Sequence, residues 1–246
     1  MTMHTRLIGH RGARGEAPEN TLAGFHHLIN LGIRAVEFDI RVSADQELIV
    51  IHDDRLERTT NGVGLVREYT HAELSQLDAC RPQWPYWPNA EGVPTLAQVL
   101  ALLTDFEHIE LEVKPCNDED QAVIVQKLPA LWQQFNLSGR TRTTSFDLRY
   151  LSAIAKHAPE LTRGFLFEHD FAGNPIAMAQ ALGCSSLGPH QARCEPELIQ
   201  QAHDAGLIIS TWTVNDAERA QELVTMGVDG IITDVPTQAL EWLADS

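Results

Sequence analysis

The sequence predicts an α/β fold, a single (β/α)8 TIM barrel. Three observations carry that prediction. The length, 246 residues, suits one such barrel better than two ordinary domains. Apolar, β-branched runs alternate with amphipathic stretches almost from end to end, the pattern of a parallel sheet covered by helices. Motifs rich in His, Asp, Glu and Lys fall where those runs end, as they should if the carboxyl ends of the strands share one face.

The first strand is expected over Arg6 to Gly9, running into His10-Arg11-Gly12, and Leu22, Phe25, Leu28 and Ile29 then recur at helical spacing. The second spans Ala35 to Val42 and carries Glu37 and Asp39. Leu48 to Ile51 reads as a short strand continuing that element into His52-Asp53. Roughly forty residues then precede the helix of Leu96, Val99, Leu100 and Leu103, far more than an ordinary loop. Positions 53–94 are therefore read as a small insertion within one domain of residues 1–246. Ile109 to Lys114 brings Glu112 and Lys114. Arg142 to Phe146, Arg163 to Phe167, Ser185 to Gly188, Ile208 to Val214 and Gly230 to Thr233 complete eight strands, the last followed by Asp234.

Hydrophobic residues at 43% and charged residues at 21% are ordinary globular values, so no long disordered tract is expected. Lys and Arg number 18 against 34 Asp and Glu, a net charge of −16 that repels nucleic acids and anionic membranes. No apolar run reaches the length of a signal peptide core or a membrane span, so the expectation is a soluble, cytoplasmic protein without stable membrane insertion. Cys80, Cys116, Cys184 and Cys194 lack paired spacing and read as reduced and structural. A homo-oligomer is compatible with all of this.

Successive side chains of a strand point to opposite faces, so Glu37 and Asp39 share a face, as do Glu112 and Lys114. Barrel closure would bring them together with His10, Arg11 and His52. Carboxylates crowded on inward faces repel unless a cation neutralises them, which points to one bound divalent metal. Hard Mg2+ or Ca2+ prefers oxygen ligands and would leave the two histidines free for proton transfer near neutral pH. Arg11 and Lys114 would supply a positive field for an anionic, phosphorylated substrate.

The strings Gly9-His10-Arg11-Gly12, Ala17-Pro18-Glu19-Asn20-Thr21, Glu37-Phe38-Asp39, Ile51-His52-Asp53, Arg58-Thr59-Thr60-Asn61-Gly62, Pro94-Thr95-Leu96, Leu111-Glu112-Val113-Lys114, Ser145-Phe146, Trp212-Thr213-Val214-Asn215 and Ile232-Thr233-Asp234 span nearly the whole chain. In that order they resemble the glycerophosphodiester phosphodiesterases, in particular the short bacterial cytoplasmic type. Two positions depart from the usual pattern: Gln46 follows Asp45 where glycine is common, and Glu110 stands where an uncharged residue is usual.

The resemblance implies that Glu37, Asp39 and Glu112 bind the metal and that His10 and His52 are the acid-base pair. Arg11 and Lys114 would hold phosphate oxygens, Trp212 would pack against the glycerol moiety, and Glu19 and Asn20 would support the metal or His10. Asp234 is expected to fix its neighbours. The implied reaction converts a glycerophosphodiester, a small-molecule partner, into glycerol 3-phosphate and an alcohol. A lysophospholipase D-like activity on lipids and a catalytically silent binding barrel are the alternatives. The first would need an apolar patch, for which only Trp84-Pro85-Tyr86-Trp87-Pro88 qualifies. The second would need a lost histidine or carboxylate, and none is lost. The insertion, with those aromatics, is expected to wall the alcohol side of the pocket.

Overall fold

The computed structural model describes residues 5–243, so both ends of the expected domain lie outside it. Nine strands form: β1 (Arg6–His10), β2 (Ala35–Val42), β3 (Leu48–Val50), β4 (His108–Val113), β5 (Thr141–Ser145), β6 (Arg163–Phe167), β7 (Ser186–Pro189), β8 (Ile208–Thr211) and β9 (Gly230–Thr233). Eight of them, all but β3, are parallel and close into a barrel, with β1 paired to β2 on one side and to β9 on the other. The fold is a (β/α)8 barrel. The covering helices are α1 (Leu22–Asn30), α3 (Leu96–Leu102), α4 (Asp118–Gln134), α5 (Leu148–His157), α6 (Pro175–Ala181), α7 (Pro196–Asp204), α8 (Ala217–Met226) and α9 (Pro236–Leu243), while α2 (His71–Leu74) lies in the long excursion after β3.

One expectation is corrected here. Leu48 to Val50 does not continue β2 but turns back along it, with Val50 opposite Ile40 and Leu48 opposite Val42 in an antiparallel pair. The sequence between them builds a tight turn: Gln46 takes a left-handed φ of 63°, its N–H donates to the Ser43 carbonyl at 2.9 Å, and the Glu47 N–H donates to Ser43 Oγ at 2.9 Å. The return arm therefore delivers His52 back toward Asp39, whose carbonyl accepts the Ile51 N–H at 3.1 Å.

Period-two patterning explains where the core sits. Val36, Phe38 and Ile40 of β2 and Ile109, Leu111 and Val113 of β4 face outward and pack with Leu28, Val99 and Ile124 between barrel and helices. Each such buried side chain is worth about 1.5–3 kcal/mol, so this layer supplies the stability that the polar interior costs. The alternate positions Glu37, Asp39, Glu110 and Glu112 turn into the barrel. Glu110, the unusual residue of the sequence, is a paired charge there, with His108 Nε2 at 2.9 Å and Arg142 Nη1 at 3.8 Å.

Helix starts follow from capping residues. Thr21 Oγ1 accepts the Gly24 N–H, Thr95 and Gln98 form a reciprocal capping box, and Asn117 caps α4, whose first turn carries Asp118, Glu119 and Asp120. Residues 53–94 gather a small core of their own around Leu56, Val66, Leu74 and Val93, packed under Ile49 and Ile51. Among the described residues, no helix is long and apolar enough to cross a membrane.

Candidate active site

The loop leaving β1 is held in a strained but heavily bonded shape. Arg11 has a left-handed φ of 50° and Gly12 one of 87°. The Arg11 N–H donates to Glu37 Oε2 at 3.2 Å, and its carbonyl accepts the Asn20 N–H at 2.9 Å. Such a backbone costs on the order of 1 kcal/mol and persists because these bonds over-determine it. It aims the Arg11 guanidinium at the inner end of β2.

There Glu37 and Asp39 meet Glu112, which lies directly opposite Asp39 on β4. All three are buried, and each offers one oxygen within 4.8 Å of the other two. Glu37 Oε1, Asp39 Oδ1 and Glu112 Oε1 are buried without a hydrogen-bond partner. Lys114 Nζ stands 2.7 Å from Glu112 Oε1, outside hydrogen-bond alignment, and 3.6 Å from Asp39 Oδ1, while Arg11 Nε is 3.3 Å from Asp39 Oδ2. Burial, then the charges of Asp39 and Glu112, push the Glu37 carboxyl well above its ordinary value. Burial and Asp39 raise Glu112 to about 7. Burial acts on Asp39 in the same sense, but Arg11 and Lys114 outweigh it and hold that carboxylate at about 2. Three converging, partly orphaned carboxylate oxygens with no nitrogen or sulfur among them form a donor set that fits a hard divalent cation.

Two histidines flank the trio, each braced from behind. His10 Nδ1 lies 2.5 Å from Asp234 Oδ1, and Asp234 is itself fixed by Asn215 Nδ2 at 2.8 Å. His52 Nδ1 lies 2.6 Å from Asp53 Oδ1, Arg58 Nε binds the other oxygen of Asp53 at 2.5 Å, and Arg41 Nε donates to the His52 carbonyl at 2.7 Å. A carboxylate acceptor places the proton on Nδ1 and leaves Nε2 for the cavity. His10 Nε2 then stands 3.7 Å from Glu37 Oε2, and His52 Nε2 stands 3.0 Å from Lys114 Nζ. Burial lowers the pKa of both rings despite these carboxylates, which favours the neutral, proton-accepting form of each.

These groups open into a cavity of about 240 Å³. Its far wall comes from the later strands and their loops: Phe146, Leu166, Glu168 and Trp212. Phe146 and Trp212 meet edge to face at 5.4 Å, and the Trp212 indole N–H donates to the Gly188 carbonyl at 2.9 Å. The model of the glycerophosphoryl diester phosphodiesterase family matches residues 10–238.

The chain belongs to that family.

A glycerophosphodiester phosphodiesterase of Caldanaerobacter subterraneus is 34% identical over 95% of this chain and 96% of its own. The structure of an Oleispira antarctica phosphodiesterase, in complex with the product sn-glycerol-3-phosphate, superposes with a TM-score of 0.89 at 30% identity, covering 99% of this chain and 98% of that one. That of a glycerophosphodiester phosphodiesterase from Agrobacterium tumefaciens gives 0.82 at 30% identity, covering 98% and 100%. As a member of the glycerophosphoryl diester phosphodiesterase family, the protein is an enzyme, a phosphoric diester hydrolase.

Within this phosphodiesterase, His10, Arg11, Glu37, His52, Glu112, Lys114 and Trp212 line one cavity, with Asp39 buried beside Glu37 and Glu112. Asn20 Nδ2 holds Asp39 Oδ2 at 2.9 Å, and Glu19 sits behind Arg11, whose Nη1 it binds at 2.9 Å. Sequence reasoning missed Asp53, Arg58, Phe146 and Glu168. Asp53 adjoins His52 and Phe146 lies in the Ser145-Phe146 string, whereas Glu168 carries no marker. The expectation for the insertion does not hold: the Trp84 to Pro88 segment is absent from the cavity wall. Trp84 and Trp87 pack against each other at 6.3 Å and Tyr86 is fully exposed. What the insertion contributes is polar: Arg58 binds both Glu19 oxygens at 2.9 and 2.8 Å, and Gln83 reaches Glu19 at 3.3 Å.

Proposed function

We propose that the enzyme is a metal-dependent hydrolase of water-soluble glycerophosphodiesters, releasing glycerol 3-phosphate and the free alcohol, with His10 and His52 as the acid-base pair. One observation carries the reading: two imidazoles, each held through Nδ1 by a carboxylate at 2.5 or 2.6 Å, present Nε2 beside three buried carboxylate oxygens that lack an aligned hydrogen-bond donor. Glu37, Asp39 and Glu112 would hold one Mg2+ or Ca2+. When bound, that ion polarises the phosphate and lowers the pKa of a glycerol hydroxyl.

Arg11 and Lys114 pair with phosphate oxygens and thereby leave the carboxylates they now neutralise. One neutral ring takes the proton of the attacking hydroxyl through Nε2. The other, entering the step as imidazolium, gives its Nε2 proton to the alcohol oxygen as the P–O bond to that oxygen breaks, leaving a cyclic phosphate of glycerol. Water, giving a proton to this second ring, then attacks the phosphorus. The first ring returns its proton to the glycerol oxygen as the newly made P–O bond breaks, releasing glycerol 3-phosphate. Asp234 and Asp53 steady the rings in the orientation and charge state each needs. Glu19 and Asn20 support Arg11 and Asp39, and Trp212 forms part of the substrate wall.

The small cavity and the surface favour a soluble diester over a lipid. Exposed large apolar side chains among the described residues are Val63, Tyr86, Ile208 and Leu240, scattered over the insertion, the start of β8 and α9, with no contiguous patch to meet a bilayer. The test is release of glycerol 3-phosphate from glycerophosphocholine, glycerophosphoethanolamine and glycerophosphoglycerol, with and without excess chelator. Turnover that stops with chelator and returns with Mg2+ or Ca2+ supports the reading. Turnover unchanged in chelator overturns the metal assignment, and cleavage of lysophospholipids in preference to all three diesters overturns the substrate.

A further inference from the structure

We infer that Glu168, with Phe146 and Trp212, reads the alcohol half of the substrate and selects a cationic one. The inference rests on the proposed activity. Around the barrel, the carboxylate trio, His10, Lys114 and the His52 hairpin occupy β1, β2 and β4, so the reacting phosphate lies against that half. In the proposed reaction a glycerol hydroxyl is drawn to the same half. The alcohol is then left facing β5 to β8, where the wall is Thr144, Phe146, Leu166, Glu168, Trp212 and Thr213. This reassigns Trp212 from the glycerol to the alcohol.

The chemistry of that wall is selective. Phe146 and Trp212 stand perpendicular, at 86°, and make an aromatic corner. Such a corner offers a glycerol little to hydrogen-bond, because the Trp212 indole N–H is already spent on the Gly188 carbonyl. Phe146 already has an ammonium nearby, with Lys114 Nζ 5.8 Å from its ring centroid. Among the described residues lining the β5 to β8 side, Glu168 supplies the one carboxylate. Its side chain is 51% exposed, and the ion pair it makes among the described residues is a long one, to His169 Nδ1 at 3.9 Å. It is therefore free to take a new cation without breaking a good bridge. Aromatic rings and a weakly paired carboxylate lining one side match an ammonium group, methylated or not, better than an uncharged alcohol of the same shape.

The test compares kcat/KM for the choline ester of glycerol 3-phosphate with that for its 3,3-dimethylbutyl ester, the uncharged isostere of choline. The wild-type enzyme is expected to favour the choline ester by about tenfold, on the scale of a partly desolvated cation-aromatic and carboxylate contact. Glu168→Gln should bring the ratio close to one, Glu168→Asp should keep most of it, and Phe146→Leu should reduce it. A wild-type ratio near one, or a Glu168→Gln enzyme that loses activity on both esters equally and keeps the ratio, overturns the inference while leaving the hydrolase reading intact. Failure to release glycerol 3-phosphate from either ester overturns both.

Discussion

Lys114 Nζ stands 3.0 Å from Nε2 of His52. An ammonium has only protons to offer, so the ring nitrogen it meets must carry the lone pair, in agreement with the Nδ1 proton facing Asp53. The same lysine neutralises Glu112 and Asp39. Phosphate binding would redirect it, freeing His52 Nε2 at the moment a base is needed. Lys114→Met is expected to lower kcat/KM by roughly 10²-fold, the scale of one lost hydrogen bond between charged groups. Steady-state kinetics measure it, and a value within threefold of wild type would remove Lys114 from substrate binding.

Asp234→Asn keeps the size of the group behind His10 but offers that ring an amide in place of a carboxylate. We expect kcat to fall by roughly 10²-fold or more, as for loss of a positioned acid-base catalyst. Because Asp234 acts through His10, the double variant with His10→Ala should be no slower than His10→Ala alone. Additive losses would show that Asp234 has a separate task.

The crowding of Glu37, Asp39 and Glu112 makes the fold bear a repulsion that the proposed cation would relieve. Glu37→Gln should therefore raise Tm in excess chelator, by about 2–4 °C for each kcal/mol relieved in a chain of this size. Adding Mg2+ or Ca2+ should reverse the order, since only the wild type gains binding energy. Differential scanning calorimetry decides it. A lower Tm for the variant in chelator would mean that the bond from the Arg11 N–H outweighs the repulsion.

Glu19 gives a pH dependence outside the trio. Burial would raise its carboxyl, but Arg58 and Arg11 prevail and hold it at about 2 against an ordinary 4.5. The unfolded chain thus takes up the proton first as pH falls. The stabilisation is complete above about pH 4.5 and is lost as pH drops through about 2. Its upper bound is on the order of 3 kcal/mol, reduced by the partial exposure of Arg58. Glu19→Gln should be less stable than wild type in urea titrations at pH 6, and the gap should shrink steadily below pH 4.5. A constant gap across that range would assign the loss to packing.

Much of this was legible because barrels impose two simple rules. Alternation put Glu37 and Asp39 on one face, and closure put the ends of β1, β2 and β4 side by side. The reversal at Gln46 was harder to see, since a short apolar run reads alike whether it continues a strand or folds back along it. The insertion misled for a different reason. Its aromatics are conspicuous in sequence, but Trp84 and Trp87 pack on each other and Tyr86 faces solvent. Arg58 and Gln83, ordinary polar residues, are the ones that reach inward. Glu168 was invisible because one carboxylate after a strand has no pattern, and only the cavity gives it a neighbourhood.

The pairing of β9 with β1 joins the last strand to the first. During synthesis the trio, His52 and Lys114 all leave the ribosome well before Asp234, with about 120 residues still to be made. At typical elongation rates that interval is about 6–24 s. Throughout it the nascent chain owns the carboxylate trio and one braced histidine, while His10 has no carboxylate behind it. With His10 acting as proposed, full activity would begin only when the seam closes, and catalysis would report that the barrel is complete.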